Sequence, residues 1–175
     1  MIPSVVLHGP ESTGKSLLAA QLAAHYDTVW VHEYGRDYCE IHGTDLAPAD
    51  LVAIMEGHVA RRVEAEAAAR GLLIQDTDPV TTAAWSMMLF GHRTDVLDAF
   101  ADVGRLYLLM DIDLPWVADA IRLYPGRADQ ERMLELCRME LERRSLPYVV
   151  ISGEGDVRFA SAIAAIEGAG LAPVR

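Results

Sequence analysis

Ser4-Val5-Val6-Leu7-His8-Gly9-Pro10-Glu11-Ser12-Thr13-Gly14-Lys15-Ser16 joins a short apolar run to a Gly-x-x-x-x-Gly-Lys-Ser motif. Pro3 and Gly9 bound the run, which predicts a strand. From Lys15 to Tyr26, Leu17, Leu18, Leu22 and Ala23 recur at helical spacing. Strand, glycine loop and helix in this order form a P-loop: the glycines let backbone N–H groups turn inward, and the helix N-terminus adds partial positive charge. Both favour bound phosphate. Lys15 is placed to reach the β- and γ-phosphates of ATP, and the Ser16 hydroxyl to ligate Mg²⁺. The expected nucleotide grip is Gly9, Glu11, Ser12, Thr13, Gly14, Lys15, Ser16 and Leu17.

Outward from the loop, apolar strands alternate with helices. Thr28 to His32 is β-branched and aromatic and runs into Glu33-Tyr34-Gly35-Arg36, where the glycine predicts a turn. A long alanine-rich helix is expected from Pro48 to Arg70, closed by Gly71. Further strands are expected at Leu72 to Gln75, Leu106 to Met110 and Tyr148 to Ser152. Helices are expected from Pro79 to about Phe90, near Asp129 to Arg144, and from about Asp156 to Ala169. Strands that are apolar throughout and alternate with helices indicate a parallel sheet covered on both faces. The expected fold is therefore α/β, a P-loop NTPase fold with a five-stranded parallel sheet sandwiched by helices. The segment 113–130, rich in Asp, Arg, Pro and Gly, is expected to be a lid.

With 175 residues the chain fits one domain, 1–175. A 51% hydrophobic and 23% charged composition suits a globular protein, and no apolar run approaches the roughly 20 residues of a membrane span. No membrane partner is expected. The residues before the P-loop lack the basic, apolar and cleavage regions of a leader, so a cytoplasmic location is expected. A formal charge of −11 argues against nucleic acid as a partner and for a small-molecule substrate. Cys39 and Cys137 have no metal-ligand spacing and are expected to be buried thiols.

Three further places bear on chemistry. Asp76 follows the apolar run Leu72 to Gln75 and should emerge at the C-terminal edge of the sheet, where open α/β sheets bind ligands. It is placed to hold Mg²⁺ through water or to orient an acceptor; Asp78 is the expected cap of the next helix. Glu33, at the end of the second strand, is the expected base for an acceptor hydroxyl, unless it pairs with Arg36. Arg122 and Arg127, in the lid, are placed to offset charge on the transferring group. The chain lacks the Asn-Lys-x-Asp guanine signature, and Thr77 follows Asp76 where motor ATPases place a water-activating glutamate. A small-molecule kinase is the expected class. The alternatives are a kinase of another nucleoside or small metabolite, or a non-catalytic ATP-binding regulator.

Gly9 to Ser16, Glu33-Tyr34-Gly35-Arg36, Gly57-His58, Asp76-Thr77-Asp78 with Thr81-Thr82, and Pro115-Trp116-Val117 before Arg122 together resemble the ribosylnicotinamide kinase domain of NadR-type proteins. The resemblance covers nearly the whole chain. It implies transfer of the γ-phosphate of ATP to the ribose 5′-hydroxyl of nicotinamide riboside, giving nicotinamide mononucleotide, with Mg²⁺. It also implies a substrate site drawn from His32, Glu33, Tyr34, Arg36, Asp76 and Asp78. His32 and Glu64 fall at the positions that face the pyridine ring in that family.

Overall fold

The computed structural model describes residues 2–173, so Met1, Val174 and Arg175 of the expected domain lie outside the described residues. Five strands, β1 (Ser4–His8), β2 (Trp30–Val31), β3 (Leu73–Asp76), β4 (Leu106–Met110) and β5 (Tyr148–Ile151), form one sheet in the order β2-β3-β1-β4-β5. All four pairings are parallel. The helices are α1 (Lys15–His25), α2 (Tyr34–His42), α3 (Pro48–Glu66), α4 (Pro79–Phe90), α5 (Asp95–Ala99), α6 (Arg127–Arg143) and α7 (Gly155–Gly168). Among the described residues no helix is long and apolar enough to cross a membrane.

The alternation of side chains along a strand splits the core into two layers. Val5 and Leu7 of β1, with Leu106, Leu108 and Met110 of β4, pack on Leu18 and Leu22 of α1 and on Ala162 and Ile166 of α7. Val6, Tyr107 and Leu109 face the other way, onto Val80 and Ala84 of α4 and Met133, Cys137 and Leu141 of α6. Both faces are covered at the centre of the sheet, so β4 and the middle of β1 read as unbroken apolar runs. A smaller cluster of Leu51, Ile54 and Met55 from α3, Ala83 from α4 and Leu97 from α5 lies to one side.

The departures from the expected elements have local causes. Residues 34–42 are helical, although Gly35 suggested a turn; Gly35 sits where a Cβ would meet Ile54 at 3.4 Å, so a small residue suits helix–helix contact there. Helix α2 buries no residue fully and holds to α3 through Arg61–Asp37 and a Tyr38 hydroxyl that donates to Asp50 at 2.6 Å. Such a helix carries little apolar periodicity. Cys39 lies on it and is only half-buried, unlike Cys137, which is fully buried. The second strand shortens to two residues, α3 stops at Glu66, and α6 begins at Arg127, so 127–130 are helical and outside the irregular segment after β4.

Candidate active site

Strand β1 stands between β3 and β4, and the chain moves outward to opposite sides of it. The loops that leave the C-terminal ends of β1 and β3 therefore face one crevice, the usual ligand position of an open α/β sheet. The loop after β1 is bent sharply at its start. Gly9 has φ 142°, and a Cβ there would meet the Met110 carbonyl oxygen at 3.0 Å, so only glycine lets the chain turn against β4. Ser12 at φ 61° and Gly14 at φ 79° carry the loop around to the first turn of α1.

Inside this loop Lys15 is 8% exposed, and its ammonium donates to the carbonyls of Gly9 at 3.1 Å and Pro10 at 2.6 Å. The Thr13 hydroxyl donates to Pro10 O at 2.8 Å. The loop is braced from behind by Arg158 of α7, a buried guanidinium that donates to Thr13 O at 3.0 Å and to Gly153 O at 2.6 Å and pairs with Asp113. Arg158 is 145 residues from Thr13, and no local motif marks it.

Asp76 ends β3 next to Thr77 of the crevice lining; it is 1% exposed, and among the described residues its Oδ1 has no hydrogen-bond partner. Burial raises its carboxyl pKa, while Lys15 and the Ser16 hydroxyl pull it back. An orphaned buried carboxylate oxygen beside a hydroxyl is a donor pair that suits a hard divalent cation. Among the described residues no group of three or more His, Cys, Asp or Glu is placed to hold a metal.

Glu33 stands immediately before α2, without a capping hydrogen bond from its side chain, and lines the crevice with Lys15, Ser16 and Arg36. Burial, then the Asp76 carboxylate, push its pKa up to about 7, against Lys15 and Arg36. Burial and a neighbouring carboxylate keep Glu33 in the range of a group that can give and take a proton near neutral pH. Arg36 is held by Asp119 at 3.0 Å and Glu40 at 3.2 Å. Arg122 reaches the crevice with its guanidinium bonded to Val117 O and 3.4 Å from Asp119.

Thus Glu11, Ser12, Thr13, Gly14, Lys15, Ser16, Glu33, Arg36 and Arg122 share one crevice. Other residues expected at the site lie elsewhere. Leu17 is exposed on the outside of α1. His32, just after β2, is exposed and is not among the residues that line the crevice; its ring lies tilted against Trp30 with centroids 3.8 Å apart. Glu64 is also outside. Tyr34 turns into the α2–α3 contact, where its ring occupies the space over Gly57 and lies under the Arg61 guanidinium at 4.7 Å. Asp78 is buried and caps α4, accepting from Val80 N at 3.0 Å, Thr81 N at 3.2 Å and the Tyr107 hydroxyl at 2.6 Å. Arg127 bonds to Ile112 O and, at 3.0 Å, to Glu131 on the outer side of α6.

What sequence reasoning missed is the apolar wall of the crevice: Leu51 and Ile54 from α3, and Thr81, Trp85 and Leu89 from α4. The last three recur every four residues, one stripe of a helix, but α4 is apolar nearly all round, so the stripe has no contrast. Cys39 and His58 also line this end. Beneath it, His8 is fully buried, with Nε2 donating to Cys137 O at 3.1 Å and Nδ1 accepting from the Thr81 hydroxyl at 2.7 Å. Burial pushes its pKa down to about 3, so the ring is neutral and structural.

A family model described as AAA domain matches residues 4–158. The chain is 33% identical to the trifunctional NAD biosynthesis/regulator protein NadR of Escherichia coli (strain K12) over 165 residues, 90% of this chain and 40% of that protein. It thus spans less than half of that relative. Among solved structures it is similar to NadR protein in complex with NR, with TM-score 0.74 and 20% identity over 99% of this chain and 52% of that one. It is also similar to thymidylate kinase from Ehrlichia chaffeensis, with TM-score 0.67 and 13% identity over 92% of this chain and 96% of that one. The strand–loop–helix that begins at Ser4 and the parallel order of the sheet agree with these matches, and the chain belongs to the AAA domain family, resembling NadR over nine-tenths of its length.

Proposed function

We propose that this chain is an ATP-dependent small-molecule kinase whose acceptor is nicotinamide riboside, phosphorylated at the ribose 5′-hydroxyl to nicotinamide mononucleotide. The observation that carries this reading is one crevice with two unlike ends. Lys15 and Ser16 on their loop share the crevice with an apolar recess of Leu51, Ile54, Trp85 and Leu89 and with Glu33, on which the buried Asp76 carboxylate acts. A ring suits the recess and a hydroxyl suits the carboxylates. The resemblance to NadR of Escherichia coli over nine-tenths of the chain, and the likeness in fold to a NadR protein solved in complex with NR, support that choice of acceptor.

In this reading Lys15 leaves its two carbonyls to hold phosphate oxygens, and Ser16 with Asp76 would hold Mg²⁺, which when bound would supply positive charge against the transferring group. Glu33, kept largely protonated by burial and by Asp76 at the lower end of neutral pH, becomes a base as it ionises and takes the acceptor proton. Arg122 adds positive charge from the other wall. The irregular segment that begins at 111 and ends before α6 serves as the lid of a single domain that works in the cytoplasm. Thr77 in place of a water-activating glutamate accords with a hydroxyl acceptor.

The test is purified protein with Mg-ATP and a panel of nicotinamide riboside, common nucleosides and simple sugars, read by product mass. Nicotinamide mononucleotide is the expected product. ADP formation no higher than in the acceptor-free blank would refute the kinase; phosphorylation of another nucleoside alone would refute only the acceptor.

A further inference from the structure

Glu11 lies inside the phosphate loop, where an anionic side chain is out of place beside bound phosphate. Its Oε1 is already committed. It accepts the backbone N–H groups of Leu123 at 2.9 Å and Tyr124 at 2.8 Å, more than a hundred residues along the chain. The next residue, Ser12, accepts the Val117 N–H on its Oγ at 2.9 Å. The irregular segment after β4 is thus held to the phosphate loop at two points that flank Arg122.

These attachments have consequences on both sides of the crevice. Arg122 immediately precedes the two anchored amides, and its guanidinium lines the crevice. Tyr124 stacks on Trp85 at 6.0 Å with 28° between the rings, and Trp85 forms part of the apolar wall. We propose that Glu11 is a positioning residue: through the Leu123 and Tyr124 N–H groups it fixes the backbone that sets Arg122 over the transferring group and Tyr124 on the acceptor wall. It does not bind the nucleotide. Burial raises its carboxyl pKa, against the two N–H donors, Lys15 and Arg122. The anchor needs an acceptor oxygen rather than a charge, since an amide oxygen accepts the same two N–H groups.

That distinction supplies the test, whose kinetic arm rests on the kinase reading. Glu11→Ala is expected to lower kcat about tenfold or more, with the KM for ATP within about twofold of the parent. Glu11→Gln is expected to keep kcat within about threefold, because the two amides stay bonded. Amide exchange in the nucleotide-free chain is read alongside. Exchange at Leu123 and Tyr124 is expected to accelerate in Glu11→Ala and stay slow in Glu11→Gln. Should Glu11→Ala not fold, Glu11→Asp, whose shorter arm misses the amides, takes its place with the same expectations. The anchor is refuted if Ala and Gln variants lose activity alike, if both raise KM for ATP with kcat unchanged, or if exchange at the two amides ignores the substitution. If the parent phosphorylates no acceptor, the kinase reading fails, and amide exchange still decides the anchor.

Discussion

The Tyr107 hydroxyl donates to the Asp78 carboxylate at 2.6 Å, in the interior behind the crevice. It also accepts the Gly104 N–H at 3.1 Å, so one phenol ties β4 to the cap of α4. Burial pushes the Asp78 pKa up to about 6 despite this donor and two backbone N–H groups. Tyr107→Phe leaves one carboxylate oxygen and one amide without a partner, at a cost of about 1–3 kcal/mol. A lowered urea midpoint with unchanged slope is the expected result; an unchanged midpoint would show that the bond contributes nothing.

Glu33→Gln is expected to stabilise the protein and disable it. A carboxyl whose folded pKa is raised contributes stability below its unfolded pKa, near 4.5, and loses it as pH rises through the folded value, about 7. Wild-type protein at pH 8 therefore bears the cost of an ionised Glu33 that Gln does not. After allowance for solvent at the crevice mouth, the nucleotide-free variant should be more stable by on the order of 1–2 kcal/mol at pH 8, the gap narrowing toward pH 5. Its kcat should fall about 10²-fold or more. Melting curves at the two pH values, with turnover at pH 8, check both halves.

Lys15→Ala removes the only lysine side chain of the chain and its charge from the phosphate loop. A kcat lower by at least about 10²–10³-fold is expected, by analogy with loss of one preorganised donor. Lys15→Arg should not rescue it, since a planar fork does not fit the space where a compact ammonium bonds the carbonyls of Gly9 and Pro10.

Gly57→Ala would place a methyl 2.2 Å from the Tyr34 Cζ, so the ring must leave its seat between α2 and α3. The expected loss is about 1–3 kcal/mol, as for overpacked cores. Tyr34→Leu in the same chain should recover part of it, and a double-mutant cycle measures the coupling. Additive losses would show that the two residues do not share the space.

The Gly-His pair at residues 57 and 58 shows why a motif can be legible while its meaning is not. Gly57 is required by the ring of Tyr34, 23 positions away in the sequence, and Tyr34 is thereby drawn into packing. His32 and Trp30 behave alike: the period of the strand puts them on one side, but which side faces the crevice depends on where β2 docks on β3. Helix α2 escaped notice because polar pairs hold it instead of an apolar stripe.

The sequence by itself determined the phosphate loop, the five parallel strands and the place of Asp76, because each rests on consecutive residues: a backbone that wraps phosphate, a short apolar run between helices, a carboxylate at a strand end. Only the tertiary structure decided the apolar wall, the bracing of the loop by Arg158, the packing of Tyr34 and the engagement of Glu11 with the amides of Leu123 and Tyr124. These join side chains to partners tens to more than a hundred residues away. Local periodicity says which face of an element is apolar, but the depth, direction and register at which elements meet are set by packing among all of them at once.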